Sequence, residues 1–122
     1  MLVEDNVMNH SDMPFRFKSA PVNGGGVSNI LIRDCAVSDA QQVFVLSTTY
    51  SDANQTVSVE PAVKPAEFAN IQAYNITADV ITKNTMSMVA DIDNTMPYKT
   101  YHTHHDLYFQ DIAFTNIAKS LA

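Results

Sequence analysis

Apolar and polar residues alternate along most of the chain, in short runs rich in Val, Ile, Thr, Phe and Tyr. The runs "NILIRDCAVSD" (29–39), "QVFVLSTTYS" (42–51), "TMSMVADID" (85–93) and "DLYFQDIAFTNI" (106–117) carry a two-residue period, the signature of strands with one buried face. Branched and aromatic side chains suit such a pleated surface. Helical spacing shows only in "KPAEFANIQAYN", where Pro61, Pro65 and the strand-like "NIQAYNIT" oppose a helix. The expectation is an all-β chain without a helix of three turns.

A repeat sharpens this. "NILIRDCAV" from Asn29, "NIQAYNITA" from Asn70 and "DIAFTNIAK" from Asp111 each place Ile second and Asp or Asn sixth. "MLVEDNVMN" fits too, with Met1 and Asp5 in those places. The polar positions Asp5, Asp34, Asn75 and Asn116 are then separated by steps of 29, 41 and 41. Such periods suggest a solenoid in which each unit buries its apolar side on its neighbours. Because the unit is all strand, a parallel β-helix of about four coils is expected, with Ile30, Ile71 and Ile112 stacked in register. Asp34, Asn75 and Asn116 would turn the chain, since Asp and Asn tolerate left-handed backbone. Loops are expected at 51–67 and 93–105. The alternative is a β-sandwich whose strands share "NI" by chance.

Within "FRFK" (15–18), alternation sends Phe15 and Phe17 one way and Arg16 and Lys18 the other. With the phenylalanines inside, both cations project from one outer face, roughly 7 Å apart along the strand. Gly24, Gly25 and Gly26 follow, allowing a tight turn. Taken alone, the pattern also describes an ordinary solvated strand face.

Composition narrows the partners. The 122 residues suffice for one domain with a modest core, and 46% hydrophobic with 16% charged residues reads as globular. No apolar run is long enough to cross a bilayer, and the first residues carry no secretory-signal pattern. The net charge of −6 opposes broad nucleic-acid binding. An anionic ligand would therefore be held by local cations against the overall field. The single cysteine, Cys35, allows neither a disulfide framework nor a thiolate zinc site, and is expected to be a small buried residue.

"FRFKS…GGGVSNILIRD" closely resembles glycoside hydrolase family 28, the polygalacturonases, at the stretch that usually reads Arg-Ile-Lys, a glycine-rich turn, then a strand beginning Val-x-Asn-Ile. The likeness is strongest to bacterial exo-acting members. It extends over "LVEDNVMNHSDMPFRFKSAPVNGGGV", "VFVLSTTYSD" and the two later "NI" units. The resemblance implies a right-handed parallel β-helix, with residues 1–122 forming a partial pectin-lyase-like domain cut at both ends. It implies inverting hydrolysis of α-1,4-linked galacturonate in pectin without a cofactor, in a secreted or periplasmic setting. Arg16 and Lys18 would bind the galacturonate next to the scissile bond, and Tyr50 would line the same cleft.

The family's acid and base lie upstream of this strand, in an Asn-Thr-Asp motif and an Asp-Asp pair supported by Gly-His-Gly. None of these is matched here, and "DNT" at 93–95 is neither the motif nor in its place. The chain is thus expected to supply substrate-binding residues but no catalytic ones, to be inactive alone, and to self-associate through exposed coil ends. The competing reading is a non-catalytic β-helix module that binds acidic polysaccharide or acts as a scaffold.

Other features read more plainly. His102 and His104 would share a strand face as a metal pair, but no third ligand is evident nearby and the region reads as a loop, so no metal site is expected. His10 reads as a turn or groove residue. Asp91 with Asp93 and Asp5 with Asp12 are carboxylate pairs by composition alone. Asn9, Asn54 and Asn75 open glycosylation sequons, and the six methionines read as core filler.

Overall fold

The computed structural model describes residues 1–50, 60–90, 96, 98 and 103–118, and within them it is built of strands and connections with no helix. The strands are β1 (Leu2–Glu4), β2 (Val7–Ser11), β3 (Phe15–Lys18), β4 (Gly26–Ser47), β5 (Glu67–Val89) and β6 (His104–Ile117). They form one sheet. β1, β2 and β3 pair in succession with β4, β4 pairs with β5, and β5 with β6. Every one of these pairings is parallel, which overturns the antiparallel sandwich.

A straight strand of 22 residues such as β4 would run about 70 Å, far beyond the span of a chain this size. The chain turns instead at left-handed residues. Positive φ recurs every five residues: Asn29, Asp34 and Asp39 on β4, Asn70, Asn75 and Val80 on β5, Asp106, Asp111 and Asn116 on β6, and Asp5 and His10 in the first layer. Most are Asp or Asn, whose short polar side chains tolerate this geometry. They also bond across layers. Asn70 Nδ2 donates to Asn29 Oδ1 at 2.7 Å, and Asn75 Nδ2 donates to Asp34 Oδ1 at 2.8 Å.

Between these corners the second and fourth residues of each five face inward. Ile30, Ile32, Cys35, Val37 and Ala40 are buried on β4, and Ile71, Ala73, Ile76, Ala78 and Ile81 on β5. The expectation for Cys35 is met. Arg33 and Asp34, at a corner, both face outward. The left-handed residue resets the alternation there. Further along β4, Phe44 stacks on Phe15 and meets Phe109 of β6 edge-on, at 5.1 Å in each case. Phe109 itself lies in register with Ala73, far from the stretch of β5 that pairs with Phe44. The sheet therefore bends round one shared core.

One expected register is corrected. Ile30 pairs with Ile71, but Ile71 pairs with Leu107, while Ile112 pairs with Ile76. Asn116 belongs to the column of Val80, not to that of Asn75. The five-residue unit is the cause: a polar residue followed by an aliphatic one recurs within each strand. An alignment displaced by five residues therefore matches almost as well. His104 and His105, placed in the expected loop 93–105, instead begin β6.

Candidate functional site

The "FRFK" strand is β3. Phe15, 5% exposed, packs on Phe44, and Phe17 lies 6.2 Å from Phe68 between ring centroids. Turning the buried Phe15 and the partly buried Phe17 inward leaves Arg16 and Lys18 exposed on the outer side, as alternation requires. Their register partners on β4 are Val45 and Ser47. Val45 is only 6% exposed although it shares their face, so the outer face is covered at Val45 while the two cations beside it stay exposed.

Tyr50 completes the arrangement. Ser19, next after Lys18, extends the ladder by donating its N–H to the Ser47 carbonyl at 2.8 Å, and its own carbonyl accepts the Tyr50 N–H at 3.1 Å. This brings the phenol ring against β3. Lys18 Nζ lies 3.8 Å from the ring centroid and Arg16 Cζ 5.4 Å from it, both within cation–π reach. The three residues singled out from the sequence thus meet at one place. Arg16 and Lys18 border an open hollow of about 300 Å³ whose rim includes Ser19, Gly26 and Val27. A neighbouring hollow of about 420 Å³ continues over Gly25, Ser28 and Glu67.

Arg16 and Lys18 differ from the other arginine. Arg33 is held by Glu4 at 2.7 Å, whereas neither Arg16 nor Lys18 has a carboxylate partner among the described residues. Their donors face a ring and solvent. The group keeps its capacity to bind an anion, with the Arg fork suited to a carboxylate and the Lys to a point contact.

The histidines do other work. His105 lies between two carboxylates, with Nε2 2.6 Å from Glu67 Oε1 and Nδ1 2.9 Å from Asp106 Oδ2. The bonds to Asp106 and then to Glu67 raise its pKa. His10, on a left-handed corner, lies 2.6 Å from Asp39, which raises its pKa chiefly through their hydrogen bond. His104 stacks on Phe68 at 5.4 Å, with Nε2 directed to the Val89 carbonyl at 3.0 Å. It is thus engaged in packing, and His102 lies outside the described residues. Among the described residues no three His, Cys, Asp or Glu side chains converge as a metal site. Asp12 accepts from Gln41, while Asp91, Asp93 and Asn54 lie outside the described residues. Nothing in the pattern singled out Ser19 or Tyr98, whose contacts depend on how connections cross the sheet.

Over 78 residues the chain is 37% identical to an exo-poly-α-D-galacturonosidase of Dickeya chrysanthemi. The match covers 63% of this chain and 13% of that relative. No protein-family model matches the chain, and no solved structure matches it significantly. The likeness supports a relationship to polygalacturonase-type glycosidases.

Proposed function

We propose that the chain is a segment of an inverting, polygalacturonase-type glycoside hydrolase acting on α-1,4-galacturonan, and that Arg16, Lys18 and Tyr50 form its substrate-binding face. The architecture that goes with this reading is a partial right-handed parallel β-helix of about four coils. Its coils would be Leu2–Lys18, Gly26–Ser47, Glu67–Val89 and His104–Ile117. The all-parallel pairing, the five-residue corners and the shared ring cluster support it. One observation carries the binding role: in a chain of net charge −6, two neighbouring cations have no carboxylate partner among the described residues and converge on one tyrosine. A galacturonate unit offers the carboxylate that such a pair lacks.

Glycoside hydrolysis needs two carboxyl groups across the bond, one protonating the leaving oxygen and one activating water. In this reading they come from coils N-terminal to the segment in the whole protein. The 122-residue chain alone is expected to release no reducing ends from polygalacturonate; release would mean that the acid and base lie within it. In a full-length protein containing the segment, Arg16→Ala or Lys18→Ala should each lower kcat/KM by about 10- to 100-fold, the worth of one charged hydrogen bond. Circular dichroism should stay unchanged, because both side chains are exposed. Full activity of the double variant would reduce β3 to a solvated strand.

A further inference from the structure

The turn that follows Lys18 is braced from three directions. Within it, Asn23 N–H donates to the Ala20 carbonyl at 3.0 Å, and Ser19 Oγ donates to the Gly24 carbonyl at 2.8 Å. Gly24 is left-handed, with φ of 62°, and a Cβ there would lie 2.8 Å from the Ala62 side chain and 2.9 Å from the Lys64 carbonyl. The segment before β5 is therefore pressed against the turn, and Ala62 N–H donates to the Val22 carbonyl at 2.9 Å. From the connection after β5, Tyr98 reaches across with its hydroxyl donating to the Pro21 carbonyl at 3.0 Å. Tyr98 is 8% exposed, and 77 residues separate the two partners.

This turn has a direct line to the cation site. Ser19 is covalently next to Lys18, and its carbonyl holds the Tyr50 N–H. The lateral position of Tyr50 under the Lys18 ammonium is thus set by where Ser19 sits. That in turn is set by its ladder bond to Ser47 on one side and by the closure of the glycine turn on the other. The strand pairing of β3 anchors the backbone of both cations, and Arg16 is the farther of the two from the ring.

We infer that Ser19 and Tyr98 are positioning residues for the Lys18–Tyr50 pair, acting through the Ser19–Gly25 turn. Neither needs to touch a ligand. Ser19 locks the turn from inside through Gly24, and Tyr98 locks it from outside through Pro21. The inference deepens the galacturonate-binding reading and rests on it for its consequence in affinity, but its geometric content stands apart. With the brace intact, the ammonium is held over the ring face before any anion arrives, so less ordering cost remains to be met on binding.

The test reads geometry and affinity separately. Protons held over an aromatic face are shielded, so the Lys18 ε-methylene of a 13C-lysine-labelled chain should resonate upfield of those of exposed Lys64 and Lys83. Tyr98→Phe deletes one oxygen, and Ser19→Ala removes the Gly24 bond. In each, the Lys18 signal should move toward the exposed-lysine position while the shifts of core residues on β4 and β5 stay in place. Ser19→Thr, which keeps the hydroxyl, should restore it. Affinity for trigalacturonate should fall about three- to tenfold in the first two variants, the worth of one neutral hydrogen bond, and recover in the third. A Lys18 signal that stays shielded in a folded Tyr98→Phe chain overturns the inference; that variant also decides the matter should Ser19→Ala fail to fold. Absence of any trigalacturonate binding by the unmodified chain would instead count against the substrate reading, leaving the resonance shift to decide the positioning roles.

Discussion

Val80 adopts the same left-handed backbone as Asp39 and Asn116, its neighbours on β4 and β6, with φ of 59°. A branched side chain there clashes with its own carbonyl, at about 1–2 kcal/mol, and this one is 40% exposed with little burial in return. Val80→Asn should therefore raise the unfolding free energy by about 1 kcal/mol, measurable as a higher urea midpoint; an unchanged or lower midpoint would contradict the account of the corners. The glycines separate two effects in the same way. At Gly26 a Cβ would lie 1.9 Å from the Glu67 carbonyl oxygen, whereas at Gly25 it would meet nothing within 4 Å. Gly26→Ala should cost more than about 3 kcal/mol or prevent folding, and Gly25→Ala only about 1 kcal/mol from its positive φ. The outward direction of Arg16 and Lys18 was legible in "FRFK" because it depends on the strand period alone. Tyr50 was not legible by period. Its place follows from the Ser19–Tyr50 backbone bond, and only the family resemblance pointed to it.

β6 is fastened to β5 by two clasps with opposite titration behaviour. At its start, both ring nitrogens of His105 face carboxylate oxygens; only the doubly protonated ring donates to both. Its pKa is raised, so this contribution is complete below the ordinary value of 6.5 and is lost as pH climbs through the higher folded value. Toward its end, Thr115 and Asn116 both donate to Asp79 Oδ1 at 2.7 Å and lower its pKa. That contribution is complete above the ordinary value of 3.8 and fades as pH falls through the lower folded one. The protection of β6 amides, taken relative to the intrinsic exchange rate at each pH, should accordingly be greatest between these limits. His105→Gln should flatten the alkaline side alone; an unchanged profile would show that the clasp does not fasten the strand. The existence of these strands was legible from alternation, yet the partner of Ile112 was not. A five-residue internal unit leaves the offset between strands ambiguous, and the connection lengths that resolve it carry no pattern.

At the scale of the molecule, β1 to β3 on one side and β6 on the other each pair along one edge only among the described residues. Leu107, Phe109, Ile112 and Phe114 on β6 are only partly buried. Unpaired edges beside apolar side chains favour strand addition, so the 122-residue chain should self-associate or unfold at low concentration. Its melting midpoint and sedimentation should depend on concentration; a monomer with sharp, concentration-independent unfolding would contradict this. The all-strand, parallel character of the described residues was legible because each unit repeats the same burial pattern. The convergence of the cations on Tyr50 was not, since it needs the connections as well as the strands. Titration of trigalacturonate into the chain by calorimetry at low salt, with and without the paired substitutions Arg16→Ala and Lys18→Ala, tests the central claim most directly. The account predicts weak binding that declines with added salt and falls at least tenfold in the double variant with its circular dichroism unchanged. Equal affinity in the two folded proteins would contradict it.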